Sequence, residues 1–259
     1  MSDIIIHTAD DFAAMRKSGK LAAQVLDMIG EHVKPGVTTN HINQLCHDYI
    51  IEAGATPAPL NYKGFPKSIC TSVNHVVCHG IPDDRKLKFG DIVNIDVTVI
   101  VDGWHGDTSR MYWVGETNIK AKRLTQVTYE AMMLGISQVK PGAFTGDIGA
   151  AIQKYVEKHG YSVVRDYCGH GIGQTFHTQP NIMHYGKAGT GIELKEGMFF
   201  TVEPMVNAGK YHTKLSPHDG WTVTTRDRSL STQFEHTLAV TKDGYEIFTE
   251  SPSGRHYPR

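Results

Sequence analysis

The sequence predicts an α+β fold built from one helix-helix-strand-strand unit that occurs twice. The tetrapeptide Val-Lys-Pro-Gly at 33–36 returns at 139–142, and each copy precedes a segment with helical apolar spacing. A Leu-Lys-x-Gly start at 87–90 returns at 194–197 ahead of a strand-like run. No Gly/Ser-rich linker separates the copies, so we expect both to belong to a single folded unit. The expected organisation is one domain over 1–259, with halves of about 1–117 and 118–259.

Each half begins with two helices. The spacing of apolar residues predicts a long first helix at about 10–32 in one half and 119–138 in the other. A second, shorter helix follows each Val-Lys-Pro-Gly turn and is expected to end near the next glycine. We expect Thr39 and Thr145 to cap these shorter helices, because a threonine hydroxyl can accept a first-turn backbone N–H.

The strands that follow carry acidic residues at matching positions. Alignment of the two Leu-Lys-x-Gly strands places Asp96 on Glu203, and the next strand of each half places Asp107 on Glu235. Asp-Gly at 102–103, between two strand-like runs, is a strong β-hairpin signal. With that turn, Asp96 and Asp107 are diagonal neighbours on one face of the hairpin, where they can share an ion.

Four carboxylates in one place require a counter-charge. If the repeat brings them together, each raises the pKa of the others unless cations neutralise them. His170, in the glycine-rich segment 168–173, is expected to complete the set, with flanking glycines that let the backbone approach a ligand. Carboxylates and one imidazole without a thiolate suit cobalt, manganese, iron or zinc, and the donors do not choose among them. The predicted ligands of two divalent ions are Asp96, Asp107, His170, Glu203 and Glu235.

Each candidate also has a plain structural interpretation. A single strand Asp beside a hairpin is most often a solvated or turn residue, but here the repeat superposes acid on acid twice. Most histidines, including His7 and His184, are interpreted as surface or loop residues. His79 is an exception, because its His-Gly-Ile triplet repeats that of His170, and His177 lies in the same glycine-rich region. Aromatic residues beside these loops, read alone, are more often packing than pocket residues: Tyr62, Phe65, Phe176 and Trp221.

The composition narrows the partners and the compartment. With 26 basic and 27 acidic residues, the chain lacks the charge excess that holds nucleic acid or an anionic membrane. The most apolar stretch, 92–101, is far shorter than the roughly 20 residues that span a bilayer. We therefore expect neither a nucleic-acid nor a membrane partner. The four cysteines contain no C-x-x-C pair, so we expect reduced thiols in a cytoplasm.

The ordered set of ligands resembles that of the type I methionine aminopeptidases, which have the pita-bread fold. The similarity covers nearly the whole chain, and two departures, Phe65 and Pro59, concern only the polarity of a pocket. The chain has no Cys/His-rich extension before Met1 and no long insertion between His170 and Glu203, so a bacterial-type enzyme is expected. The segments that carry the resemblance are 77–82, 94–97, 105–108, 167–173, 203–205 and 234–237.

The resemblance implies how the ligands are shared. Asp96 and Glu235 would contribute to one metal ion. His170 and Glu203 would contribute to the other, and Asp107 would bridge the two ions together with Glu235.

The resemblance also implies the substrate-binding and catalytic residues. His79 and His177 would contact the substrate. Our mechanistic hypothesis is that these two histidines stabilise charge in the tetrahedral state and that Glu203 relays a proton. The side chains that would surround the methionine of the substrate are Tyr62, Phe65, Cys70, Phe176 and Trp221.

The implied activity is metal-dependent removal of the N-terminal methionine from nascent polypeptides, with a preference for a small second residue. The expected partners are nascent N-termini, with contact to the ribosome left open, and the expected state is a cytoplasmic monomer. One alternative is a hydrolase of the same fold that cuts X-Pro bonds, although such enzymes generally carry an extra N-terminal domain. A non-catalytic pita-bread binding protein is the other alternative, and it predicts eroded ligands.

Overall fold

The computed structural model describes residues 4–258 and shows four α-helices, two short 3-10 helices and fifteen strands in that part of the chain. The helices are α1 Ala9–Ile29, α2 Thr39–Glu52, α3 Ile119–Ile136 and α4 Thr145–Lys158, with 3-10 turns at Gly30–His32 and Tyr62–Gly64. The strands are β1 Thr56–Pro57, β2 Cys70–Val73, β3 Val76–Cys78, β4 Ile92–Val101, β5 Trp104–Trp113, β6 Ser162–Val163, β7 Gly169–Gly171, β8 Thr178–Ile182, β9 Phe199–Val202, β10 Met205–Asn207, β11 Thr213–Leu215, β12 Val223–Thr225, β13 Ser231–Gln233, β14 His236–Val240 and β15 Tyr245–Ile247.

The four predicted helices are present, but the predicted caps of α2 and α4 were wrong by one residue. The cap of α2 is Thr38, whose Oγ1 accepts the backbone N–H of His41 at 3.1 Å. Thr39 and Thr145 are instead the first helical residues. Their hydroxyls accept backbone N–H groups from segments that come later in the chain. Thr145 Oγ1, for example, accepts the backbone N–H of Ile192 at 3.1 Å.

The first-half strands form the predicted hairpin. Asp102 and Gly103 both have positive φ, 50° and 85°, as a two-residue primed turn requires. The pairing of β4 with β5 runs without a break from Ile92 opposite Trp113 to the turn, and Asp96 lies opposite Ser109. Asp96 and Asp107 therefore share one face of the hairpin, as predicted.

The corresponding strands of the second half are interrupted. β9 pairs with β14 and β10 pairs with β13, but Glu203-Pro204 on one side and Phe234-Glu235 on the other lie between the two ladders. Proline has no N–H to donate to a ladder, which is consistent with a break at Pro204. Both second-half acids therefore sit at a gap in the sheet.

Helices pack on these strands in two apolar clusters, which confirms the α+β class. α1, α2 and β4 contribute to one cluster, with Leu26, Ile42 and Ile95 fully or almost fully buried. α3, α4 and β9 contribute to the other, with Ile152 and Phe200 buried. Between residues 4 and 258, each helix falls short of the length or the apolarity that a membrane span needs.

Hydrogen bonds join the two halves beside the acidic residues. The backbone N–H of Glu235 donates to the carbonyl of Ser109 at 3.1 Å. The Thr237 hydroxyl donates to the carbonyl of Asp107 at 2.6 Å. Asn94, on the first hairpin, donates its side-chain amide to the carbonyl of Gln233 at 2.9 Å. These contacts fix the hairpin β4–β5 against the gap in the second-half strands.

Candidate metal centre

Five side chains from the two halves converge on one cavity. Asp96 and Asp107 come from the hairpin β4–β5, and His170 lies on β7. Glu203 directly follows β9, and Glu235 directly precedes β14. Ligand atoms of Asp107, His170 and Glu235 all lie within 4.8 Å of one another. His170 Nε2 lies 3.6 Å from Asp107 Oδ2 and 3.6 Å from Glu203 Oε1.

The electrostatics of this cluster favour a bound cation. Burial raises the pKa of the Asp107, Glu203 and Glu235 carboxyls well above the usual range, and the neighbouring carboxylates raise it further. Burial likewise raises the pKa of Asp96 to about 7. The pKa of His170 is lowered by burial to about 4, which keeps its imidazole neutral and able to ligate. Four carboxylates and one neutral imidazole therefore fit divalent cations, whose charge offsets the repulsion.

Hydrogen bonds orient the predicted ligands. The Thr98 hydroxyl donates to Asp107 Oδ1 at 2.7 Å, and the Thr201 hydroxyl donates to Glu203 Oε1 at 2.8 Å. His170 Nδ1 lies 3.1 Å from the backbone carbonyl oxygen of Gly171, to which an Nδ1–H can donate. That tautomer leaves the lone pair of Nε2 facing the carboxylates, which is the usual arrangement of a ligating histidine.

The glycines on either side of His170 allow neighbouring strands to pack closely. The expectation that they let the backbone approach a ligand was therefore wrong. A Cβ on Gly169 would lie 2.3 Å from the carbonyl oxygen of Thr201. One on Gly171 would lie 2.1 Å from the carbonyl oxygen of Gln179. β7 lies between β9 and β8, and only glycine lets its backbone approach both strands this closely.

The cluster lines a cavity of about 420 Å³ with aromatic walls. Phe65 is buried, and its ring meets that of Trp221 edge-on at 5.2 Å between centroids. Tyr62 lies 4.9 Å from Phe176 by the same measure. The sequence-predicted ligand, catalytic and pocket residues all line this cavity: Tyr62, Phe65, Cys70, His79, Asp96, Asp107, His170, Phe176, His177, Glu203, Trp221 and Glu235.

The two other predicted histidines approach the cluster from different halves of the chain. The ring of His177 lies 4.2 Å from that of His170, and its Nδ1 is 2.9 Å from the Tyr62 hydroxyl oxygen. His79 directly follows β3 and has a left-handed φ of 55°, with its ring 6.0 Å from that of Trp221. A non-glycine residue keeps such a conformation only where its surroundings impose it, often at functional sites.

Comparison with known proteins places this arrangement in a family. The model of metallopeptidase family M24 matches residues 13–242. The chain belongs to this family. A methionine aminopeptidase from Rickettsia prowazekii (strain Madrid E) is 71% identical over 255 residues, covering 98% of this chain and 98% of that protein. One from Escherichia coli (strain K12) is 57% identical over 248 residues, covering 95% and 94%.

Solved structures confirm the predicted pita-bread fold for this M24 chain. The crystal structure of the Rickettsia prowazekii methionine aminopeptidase aligns with a TM-score of 0.95 at 71% identity, covering 95% of this chain and all of the other. A prolidase from Pyrococcus horikoshii OT3 aligns with a TM-score of 0.76 at 20% identity, covering 95% of this chain and 64% of the other. At that identity the prolidase shares the fold alone.

Two histidines that were interpreted as surface or loop residues do lie in loops, but their side chains are buried. His184 is almost fully buried, and its Nε2 accepts the backbone N–H of Glu203 at 3.0 Å. The ring of His7 stacks on that of Phe199, with centroids 4.0 Å apart. Neither residue belongs to a periodic segment or to the repeat, so no pattern in the sequence indicates its burial. Only the folded chain brings them to these partners.

Two residues that the sequence-based predictions omitted, Thr201 and Gln233, contact the predicted ligand Glu203. Gln233 Nε2 lies 3.2 Å from Glu203 Oε2, and the Thr201 hydroxyl bonds the other oxygen of the same carboxylate. Thr201 precedes Glu203 by two residues, and Gln233 precedes Glu235 by two. Side chains two apart on a strand share a face, so this spacing could have indicated both residues.

Proposed function

We infer that this M24 chain is a metal-dependent aminopeptidase that removes the N-terminal methionine from newly made polypeptides. The observation that carries the proposal is the convergence of four carboxylates and one neutral imidazole in an aromatic-walled cavity. Relatives named methionine aminopeptidase, at 71% and 57% identity over nearly the whole chain, support it. Because both halves supply ligands, we also propose that 1–259 acts as one catalytic domain.

Two divalent cations fit the five donors, shared between them as the family resemblance implies. When bound, such a pair acidifies water and polarises a carbonyl group. Cys70 and Cys78 also line the cavity, but burial raises the pKa of each thiol well above its usual value. Protonated thiols are poor ligands. The remaining oxygen and nitrogen donors suit cobalt, manganese, iron or zinc.

The aromatic wall of the cavity is proposed to hold the methionine side chain. A thioether is flexible and makes favourable contacts with aromatic rings, which matches the pair formed by Phe65 and Trp221. The residues proposed to surround it are Tyr62, Phe65, Cys70, Phe176 and Trp221.

Glu203 is proposed to move a proton during hydrolysis. Its carboxylate is held by the Thr201 hydroxyl and the Gln233 amide, and a carboxylate held in place beside the reacting groups can relay a proton. Glu203 is therefore proposed to accept a proton from the attacking water and to deliver it to the leaving amine.

His79 and His177 are proposed to stabilise the negative charge that develops on the scissile carbonyl oxygen. The Tyr62 hydroxyl lies 2.9 Å from His177 Nδ1, and if it donates there, the Nε2–H of His177 is free to donate into the cavity. His79 comes from the other half of the sequence and lies beside Trp221. It is proposed to supply a second hydrogen-bond donor to the same oxygen.

We propose a cytoplasmic setting and an active monomer. Cys46, Cys70, Cys78 and Cys168 are all free, as expected of a cytoplasmic protein. The proposed site residues converge within a single chain, and we propose that the active form is a monomer. Its substrates would be nascent polypeptides with a small residue after the methionine.

A panel of four peptides tests the proposal on protein reconstituted with Mn²⁺. We expect cleavage of Met-Ala-Ser, little cleavage of Met-Lys-Ser, and none of Ala-Ala-Ser or Ala-Pro. A chelator should abolish turnover, and added metal should restore it. Preferential cleavage of Ala-Pro would favour the X-Pro hydrolase, and no cleavage of any peptide by metal-loaded protein would favour a non-catalytic binding protein.

A further inference from the structure

His184 makes a single polar contact among the described residues, and that contact is to the backbone of Glu203. Its ring is almost fully buried, and Nε2 lies 3.0 Å from the Glu203 backbone nitrogen. Nδ1 is also buried and finds no hydrogen-bond partner within residues 4–258. A buried polar atom without a hydrogen-bond partner is unfavourable. Packing alone therefore does not explain an imidazole at this position. An apolar side chain would fill the same space without that penalty.

The gap in the second-half strands explains why Glu203 needs such a partner. Asp96, its counterpart in the repeat, lies inside a continuous strand that is paired with β2 on one side and β5 on the other. Glu203 lies just past the last ladder residue of β9, and Pro204 follows it. The backbone N–H of Glu203 is therefore outside the ladder, and His184 takes the place of the missing strand.

The segment that carries His184 is fixed against α4. A Cβ on Gly149 of that helix would lie 2.5 Å from the carbonyl oxygen of Tyr185 and 2.6 Å from that of Met183. The side chain of Gln153, one turn further along α4, accepts the backbone N–H of Gly186 at 3.0 Å. The loop on both sides of His184 is thus held to a helix, which makes the imidazole a rigid support.

Glu203 is consequently held at both ends. The Thr201 hydroxyl and the Gln233 amide bond its two carboxylate oxygens. The Gln233 amide also lies 3.4 Å from the Glu203 backbone carbonyl oxygen, and His184 holds the backbone nitrogen with a shorter contact of 3.0 Å. We propose that His184 is a positioning residue, which holds the Glu203 backbone so that the carboxylate meets both the metal site and the substrate. This inference rests on the proposed function of Glu203.

Activity measurements on two substitutions at this position test the proposal. His184→Gln keeps an acceptor near the position of Nε2, whereas His184→Leu has similar bulk and no acceptor. With Met-Ala-Ser and Mn²⁺-loaded protein, we expect His184→Leu to lose roughly 10 to 100-fold in kcat, since small misplacements of a catalytic group have effects of this size. KM should change by less than about threefold, because substrate binding does not use this bond. His184→Gln should recover most of the lost kcat.

A packing control separates support of Glu203 from general loss of stability. Ile182→Val removes one methylene from a fully buried residue at the end of β8, two residues before His184. It should lower Tm and leave kcat unchanged. Wild-type kcat in His184→Leu would overturn the proposal, as would an equal loss of kcat in His184→Leu and His184→Gln. If the wild-type protein cleaves none of the peptides, it is the proposed function that fails.

The tautomer of His184 in the wild-type protein provides a test that needs neither activity nor a folded variant. Because Nε2 accepts a hydrogen bond, its proton must lie on Nδ1. We expect ¹⁵N-imidazole NMR spectra of the zinc-loaded protein, which is diamagnetic, to show one histidine as a neutral Nδ1–H tautomer in contact with the Glu203 amide proton. An Nε2–H tautomer at His184 would overturn the proposal, since that nitrogen could not then accept the bond.

Discussion

The two strand pairs that supply the acids differ in continuity. In the first half, β4 and β5 pair over ten residues each, and Asp96 and Asp107 are placed by the register of that ladder. In the second half, Glu203 and Glu235 lie at a gap between short ladders. The comparison teaches that a duplicated unit can position equivalent ligands in two ways. A sheet positions the first pair, and individual side-chain hydrogen bonds hold Glu203 in the second.

The second helix of each half shows the reverse contrast. On α2, Asn43 Oδ1 accepts the backbone N–H of Ser68 at 2.9 Å and so holds the segment leading into β2. The equivalent position on α4 is Gly149, where the absence of a side chain lets the segment 183–185 lie directly on the helix. The first half holds its following segment with a hydrogen bond, and the second half with close backbone packing.

The largest expected effect comes from Glu203, at the gap between the second-half ladders. Glu203→Gln should lower kcat for Met-Ala-Ser by about 10²–10⁴-fold, because Glu203 is proposed both to relay a proton and to bind metal. Steady-state kinetics with metal analysis checks this. Glu196→Gln, an exposed change seven residues earlier, serves as the control and should retain activity. Near-normal turnover in Glu203→Gln would show that the carboxylate at the break between the second-half ladders is not needed for catalysis.

His79 and His177, one from each half of the sequence, provide a test of whether both halves contribute to catalysis. His79→Ala and His177→Ala should each lower kcat by about 10²-fold, the usual effect of removing one donor to a developing oxyanion. Bound metal should be unchanged in both variants, since neither imidazole is among the proposed ligands. If either variant lost metal in proportion to activity, that histidine would belong with the ligands instead.

Substitutions on the second helix sharpen the contrast between the two modes of attachment. Gly149→Ala should destabilise the protein by about 1–3 kcal/mol through overpacking and also lower kcat, because the displaced backbone carries His184. Asn43→Ala should destabilise by a similar ~1–3 kcal/mol, since it leaves backbone donors unpaired near Ser68. Its kcat should stay close to the wild-type value. Urea unfolding and kinetics measure both quantities, and an equal kcat for the two variants would contradict the comparison.

The last expected effect involves no change in turnover and is a pH-dependent stability of the metal-free protein. Burial raises the pKa of Asp96 to about 7, whereas an aspartate in the unfolded chain titrates near about 3.9. The unfolded state therefore loses its proton first, and the carboxyl destabilises the fold increasingly as pH rises from about 4 to 7. In a chelator, Asp96→Asn should thus gain Tm relative to the wild type over that range, with each 1 kcal/mol worth roughly 2–4 °C.

Differences between variants are needed for this measurement because buried histidines act in the opposite direction. Burial lowers the pKa of His170, so its contribution to stability is lost as pH falls toward about 4. That contribution is common to the wild type and to Asp96→Asn and cancels between them. Asp243→Asn, at an exposed loop acid, should show no such trend. A constant Tm difference across the range would show that Asp96 ionises normally.

The sequence by itself determined the repeat, the four helices, the hairpin turn at Asp102-Gly103 and the candidate ligands. These features depend on local periodicity, on turn chemistry and on an internal alignment, all of which are properties of the linear chain. Placement of Asp96 against Glu203 needed only the register of the repeat. The resemblance to a known family then supplied roles for the residues around the cavity.

Only the tertiary structure decided how Glu203 is supported and what the glycines beside His170 do. His184 meets Glu203 because α4 holds the intervening loop, and Gly169 admits the backbone of β9 rather than a ligand. Both depend on contacts between segments that are distant along the chain or that deviate from regular periodicity. Hydrogen bonds to backbone groups and close backbone approaches leave no period in the sequence, so folding alone reveals them.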